Sequence, residues 1–308
     1  MEFVKKNSLF CLIALSLVYT AQSKHTVDSK QADSTQFPPM MIDHIDSIPD
    51  YYQRDPDFGG FPDNGAVYCG PTAASNALFW LARNGHSAIM KFGDNPKKDQ
   101  HDLITRLASS EFINTSSGGS NPESVCHGIQ EYLKYCGYND AKIHFFGWRQ
   151  VSSEYKADSD FPDFIRARKA IVENEAVLLN IGWYDFNERH NTYRRTGGHW
   201  VTMVGYGFNG KTTDPQCIIV HDPETRNRIN DYITLELIEN GTLTGRLKNL
   251  PREAAGYNRF KTGYKQYGVI EGMVIVQTGE VAKSLSLDEK IKIPKKALGK
   301  DSRIAELK

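Results

Sequence analysis

What this sequence lacks narrows its roles before any motif is read. It has no net charge: 37 Lys and Arg stand against 37 Asp and Glu. A protein held to nucleic acid by phosphate contacts carries a basic excess, so no nucleic-acid partner is expected. It has no internal repeat, which sets aside solenoids and propellers. It has no CxxC pair and no HExxH, and Cys126-His127 alone is a poor ligand set, so neither metal nor cofactor is expected. It has only one long apolar run, "SLFCLIALSLVYTA" from Ser8 to Ala21, too short for a comfortable membrane span. That run follows the basic lead "MEFVKK" and precedes small residues at Ala21 and Ser23. It reads as a signal peptide over residues 1–23, cleaved after Ser23, of a secreted or periplasmic protein with no stable membrane insertion after cleavage.

Cysteine is also scarce. Of five, Cys11 lies in the apolar run, leaving Cys69, Cys126, Cys136 and Cys217. Export permits disulfides, but Cys126 and Cys136 do not pair readily. "NPESVCHGIQEYLKYCG" reads as one helix, with Asn121 as N-cap, Pro122 as first residue and Gly137 as stop. Ten helical residues span about 15 Å, whereas bridged Cα atoms lie roughly 5.5 Å apart. If Cys69 stays reduced, three thiols remain and complete pairing is impossible. An exported chain that keeps free thiols has a use for one of them.

The remainder orders itself by composition. Residues 24–44 are a polar linker with a Pro pair, 45–280 form the main domain, and 281–308 are a Lys-rich tail. Helices are expected over Pro71–Asn84, and the 99–173 stretch reads as mostly helical. Later come β-branched runs: "AVLLNIGWY", "HWVTMVGYGF", "CIIVHDP" and "VIEGMVIVQTG". Helices first and strands later predict an α+β domain.

"GAVYCGPTAASNALFWLA", Gly65 to Ala82, places a cysteine at a helix start. A helix N-terminus stabilises a thiolate, Gly70 permits close backbone approach, and Pro71 suits the first turn. Alternatively, Cys69 is a small buried hydrophobe, the commoner fate of a cysteine. A nucleophilic thiol needs a base, and the base an orienter. His199 opens a strand after Gly197-Gly198, and Asp222 ends the next strand before Pro223. In a hairpin, the start of the first strand lies beside the end of the second, so His199 and Asp222 become neighbours. By themselves, a strand-end histidine and a turn-initiating Asp-Pro pair are ordinary; it is their coincidence with Cys69 that favours catalysis.

"YCGPTAASNAL", "GGHWVTMVGYG" and "VHDP", in that order, resemble the papain-like cysteine peptidases, in particular the bacteriocin-processing, double-glycine branch and its exported relatives. "IPDYYQ" resembles that branch's oxyanion-glutamine segment, and "SGGSNPESVCHGIQEYLKYCGY" its Gly-containing loop and following helix. The likeness covers roughly residues 45–278. It implies a papain-like α+β fold, with a helical part carrying the nucleophile packed on an antiparallel β-sheet. It also implies Cys69 as nucleophile, His199 as base and acid, Asp222 as orienter and Gln53 as oxyanion donor. The sequence departs where "RDPDFGGFPDNGAVY" intervenes before the cysteine, and Asn64 then competes with Gln53 for the oxyanion. The stretch from Asn230 to Phe260 lies outside the likeness and is long enough for a lid or a wall of the substrate cleft. Trp183 and Trp200, with Tyr206, are candidates to line that cleft, although strand aromatics more often belong to a core.

The expected activity is hydrolysis of a peptide or amide bond through a Cys69 acyl-enzyme, with a peptide or protein as substrate. Two alternatives use the same residues differently. One is an acyl-transferring, transpeptidase-like enzyme; the other is a non-catalytic secreted binding module. Nothing in the sequence addresses oligomeric state.

Overall fold

The computed structural model describes residues 40–115, 118–226, 231–261 and 266–279. The expected signal peptide, most of the expected linker and the Lys-rich tail lie outside the described residues. Among those described, no helix is long and apolar enough to cross a membrane.

The chain runs β1 (Ile42–Asp43), α1 (Cys69–Arg83), α2 (Pro96–Ala108), α3 (Pro122–Tyr135), β2 (Lys142–Gly147), α4 (Phe164–Val172), β3 (Ala176–Asn187), β4 (Thr192–Phe208), β5 (Thr213–His221), β6 (Tyr232–Leu237), β7 (Thr242–Thr244), β8 (Arg252–Glu253), β9 (Asn258–Phe260) and β10 (Tyr267–Gln277). Local chemistry explains three of the helix starts. Asn95 accepts from the Lys98 N–H, Asn121 from Ser124, and Asp163 from Ile165 and Arg166, each satisfying donors that a first turn leaves without intrahelical partners. Asn121, Pro122 and the left-handed Gly137 bound α3 as its sequence implies. β2 interrupts the stretch expected to be mostly helical. Its residues alternate between exposed and buried, the period of a strand.

The expected papain-like α+β arrangement, a helical part packed on an antiparallel sheet, is overturned by the strand pairing. β3 pairs with β4 and β10, β10 with β9, β9 with β6, β6 with β5, and β5 with β4. These six strands close a ring, and the protein is mostly sheet with four α-helices among the described residues. β6 and β9 come from the 230–260 stretch, expected to be a lid or wall; they supply the strands that complete the barrel. β9 meets β10 at Arg259↔Val269. The sheet is not purely antiparallel either, because β7 runs parallel to β4.

Strand alternation divides the apolar residues between two faces. One buried cluster draws on the ring strands with Val177, Leu179, Ile181, Val201, Met203, Ile218, Val220, Leu235, Ile270 and Met273. All six ring strands contribute to this cluster, as the inside of a closed ring requires, and α4 adds Ala167, Ala170 and Ile171 to it. The opposite faces, including Leu178, Trp200, Val204 and Ile219, pack with Ala73, Ala74, Ala77 and Leu81 of α1 and with α3. The alanines let α1 approach β4 closely, and the Thr202 hydroxyl donates to the Ala73 carbonyl at 2.8 Å. α1 is thereby held against the strand that carries His199. Cys69, Cys126 and Cys217 are free thiols.

Candidate active site

Cys69 is the first residue of α1 and is half-buried. Unlike the other three helices, α1 has no side-chain cap; Tyr68 stands at the N-cap position without one. The N–H groups of its first turn, which no intrahelical carbonyl can accept, lie beside the sulfur with the positive end of the helix dipole. Gly70 fits because Ser120 packs on it: a Cβ added there would lie 2.8 Å from the Ser120 Cβ. Ser120 is in turn fixed by the Trp200 indole, which donates to its carbonyl at 2.9 Å.

β4 and β5 pair as an antiparallel hairpin with Thr202 opposite His221 and Met203 opposite Val220. That register brings His199 and Asp222 together at one end, where His199 Nε2 and Asp222 Oδ1 lie 2.6 Å apart. The Asp222 carboxylate also accepts the Glu224 N–H at 2.9 Å, which locks its orientation. Nε2 being committed to Asp222, Nδ1 is the ring nitrogen left for Cys69, which lies near enough to His199 to favour its charged form. Burial opposes charging of the ring, but the Asp222 charge and hydrogen bond, reinforced by Cys69, outweigh it and push His199 up to about 10. Burial likewise opposes ionisation of Asp222, yet His199 and the Glu224 N–H hold its carboxyl below its ordinary value.

These shifts predict a pH dependence of stability. The His199 pKa is raised above its ordinary 6.5, so the contribution of the imidazolium is full below that value and is lost as pH climbs through about 10. Asp222 contributes above its ordinary 3.8 and loses that contribution as pH falls through its lowered value. The wild-type melting temperature is therefore expected to decline between roughly pH 7 and 10, and Asp222→Asn to flatten that slope. Parallel slopes in calorimetric scans would refute the assigned pair.

Upstream of Cys69, the segment carrying Gln53 is tied down on three sides. The Tyr51 N–H donates to Asn76 Oδ1 at 3.2 Å, His221 Nδ1 lies 2.9 Å from the Pro49 carbonyl, and the Gln53 N–H donates to the Pro223 carbonyl at 2.8 Å. Gln100 holds Asn76 in place at 2.7 Å. The intervening fifteen-residue insertion, "RDPDFGGFPDNGAVY", folds back on itself, with Phe61 stacked between Tyr68 and His101 at 4.9 and 4.6 Å. Its last turn presses Gly65 onto Gln53, whose side-chain N–H donates to the Gly65 carbonyl at 2.8 Å. Gln53 is buried, and its Oε1 has no hydrogen-bond partner. Asn64 is exposed and left-handed, with φ of 51°. Of the two oxyanion candidates, Gln53 is thus the one seated under the turn that leads into Cys69.

Gly65 is required here: φ is +69°, and an added Cβ would lie 1.7 Å from the Gln53 carbonyl oxygen. Gly65→Ala is expected to cost more than about 2 kcal/mol, because neither the backbone strain nor the clash can relax cheaply. A urea midpoint equal to that of the wild type would contradict this close approach.

The two cleft candidates separate. Trp183 is half-buried, its ring 6.3 Å from that of His199 and edge-on to Phe260 at 5.8 Å. Trp200 is 1% exposed and anchored on Ser120; it belongs to the core between α1 and the barrel and does not line a cleft. Tyr206 is buried as well.

One cluster escaped the sequence reading. Glu271 is fully buried and accepts from both Arg195 Nε and Nη2, from Arg149 Nη1 and from the Tyr184 hydroxyl, at 2.7, 3.1, 2.8 and 2.6 Å. It occupies a bulge of β10 between Ile270 and Gly272, and Thr196 occupies a bulge of β4, three residues before His199. Bulges re-aim side chains near functional sites. Their only sequence signal is an isolated Glu inside the apolar run "VIEGMVIV".

No family model matches the chain, and no curated protein matches it significantly.

Proposed function

We propose that this chain is a cysteine hydrolase that cleaves a peptide or amide bond. The reading rests on one observation: a half-buried cysteine at an uncapped helix start, beside a histidine whose Nε2 lies 2.6 Å from a carboxylate. Nucleophile, base and orienter are the three roles that acyl transfer requires. With the proton already on His199, the Cys69 sulfur attacks the substrate carbonyl carbon. The resulting oxyanion is met by the N–H groups of the first turn of α1 and by the Gln53 side-chain amide. His199 then protonates the leaving amine, and a thioester to Cys69 remains. Water, deprotonated by His199, attacks the thioester; the acid product leaves and the thiol is restored.

Selective alkylation tests the reading. Burial, aided by the Asp214 charge, pushes the Cys217 thiol up to about 11, and burial with the Glu123 charge pushes Cys126 up still further. At pH 7, limiting iodoacetamide followed by peptide mass mapping is expected to label Cys69 at least about tenfold faster than Cys126 or Cys217, because only thiolates react. Equal rates would remove the nucleophile from the proposal. Replacing Gln53 with Ala is expected to lower kcat about 10²–10³-fold with little change in KM.

A further inference from the structure

A cleft of about 530 Å³ lies on the Ser120 side of the site, lined by Asn121, Glu123, Arg149, Ser152, Leu247 and Lys248 among others. Packed neighbours connect both halves of the Cys69–His199 pair to its lining. On one side, Ser120, next to Asn121, packs on Gly70, next to Cys69. On the other, Arg149 shares Glu271 with Arg195, and the Arg195 Nη2 lies 2.5 Å from where a Gly198 Cβ would stand, next to His199. A further wall comes from the 245–250 turn through Leu247 and Lys248, and in that turn Leu250 and the Arg195 side chain close on Gly245.

The charges in this cleft do not cancel. Two guanidiniums, Arg149 and Arg195, share the single Glu271 carboxylate. Glu123 is the acidic group in the lining, and both its oxygens are occupied, by the Ser152 N–H at 2.6 Å and the Ser152 hydroxyl at 2.5 Å. Lys248 adds an exposed ammonium at the rim. Of the charged groups that line the cleft, Arg149 and Lys248 stand against Glu123, which leaves one positive charge over. Arg149 is the sharpest feature. One nitrogen is held by Glu271, its side chain is 13% exposed, and the remainder of its planar fork borders the cleft, a shape suited to a carboxylate.

We propose that this cleft is a specificity subsite that takes an acidic side chain, Glu or Asp, of a peptide substrate near the scissile bond. The assignment rests on the hydrolase reading for the location of the scissile bond, but recognition by Arg149 and Lys248 is a binding property that can be measured without turnover. Glu271 keeps Arg149 extended along the wall, so little side-chain freedom is lost when a carboxylate arrives. A basic side chain in the same place would meet the Arg149 and Lys248 cations and would be rejected.

The test uses fluorescein-labelled eight-residue Ala/Gly peptides in which one Glu, Gln or Lys is walked through every position. Cleavage is followed with the wild-type full chain and binding with Cys69→Ala, by anisotropy at low salt. At one position, Glu is expected to exceed Gln by about tenfold in cleavage or affinity, since a hydrogen bond to a charged group is worth about that much, with Lys weakest. Arg149→Gln is expected to bring the Glu-to-Gln ratio close to one. Because that change also disturbs a buried cluster, Lys248→Gln, at an exposed position, serves as the second variant and is expected to lower the ratio about two- to threefold. Cleavage without an acidic preference overturns the subsite and leaves the hydrolase standing. Arg149-dependent binding of the Glu peptide without any cleavage overturns the hydrolase and leaves the subsite. Equal binding of Glu, Gln and Lys peptides to Cys69→Ala overturns the subsite whatever the cleavage result.

Discussion

Cys69→Ala is expected to abolish hydrolysis, with kcat reduced about 10⁶-fold, while the protein melts within a few degrees of wild type. On the proposed hydrolase reading the loss is large because the sulfur would form the covalent bond to the substrate. The stability change is small because Cys69 is only half-buried. His199→Ala is expected to cost nearly as much, and the double variant little more than either alone, since residues that act as one unit do not contribute independently. Asp222→Asn should cost about 10⁴-fold by losing the preferred ring tautomer. Additive losses in kcat across the single and double variants would mean that Cys69 and His199 do not share one step.

Glu271→Leu is expected to destabilise the fold by about 3–5 kcal/mol, because it leaves the Arg149 and Arg195 guanidiniums without their shared carboxylate. For a domain of this size each kcal/mol moves the melting temperature roughly 2–4 °C, so a fall of about 10 °C is the expected reading. Tyr184 also loses its acceptor; burial and the Glu271 charge keep its phenol protonated, hence a donor needing a partner. Replacing Glu271, Arg149 and Arg195 together with Leu should cost far less than the three single losses summed, since the desolvation penalty disappears with the charges. If Glu271→Leu melts within 2 °C or so of wild type, the cluster is not the clamp its geometry implies. The clamp joins the β10 and β4 bulges, so its loss is also expected to reach His199 and reduce kcat.

How much of this was legible depended on the range over which each feature is determined. The start of α3 was readable because Asn121, Pro122 and Gly137 act within a few residues of themselves. The nearness of His199 to Asp222 was readable because a hairpin register follows from two adjacent strands. The closed barrel was not, because β6 and β9 are short, lie in a stretch with no likeness to guide it, and meet strands remote in sequence. Trp200 was misplaced because alternation assigns it a face but not what covers that face; α1 and Ser120 do. The choice between Gln53 and Asn64 was equally out of reach, since it turns on how fifteen intervening residues fold back.

The sequence by itself determined the chemical inventory: one cysteine at a helix start, one histidine on a strand, and one aspartate just past the end of the next. Those are short-range facts, set by capping, by strand period and by hairpin geometry. Only the tertiary structure decided that the strands close into a barrel, that Gln53 sits under the turn before Cys69, and that two arginines share Glu271 beside the site. Each of these joins residues far apart in sequence, through packing and desolvation that no local pattern records.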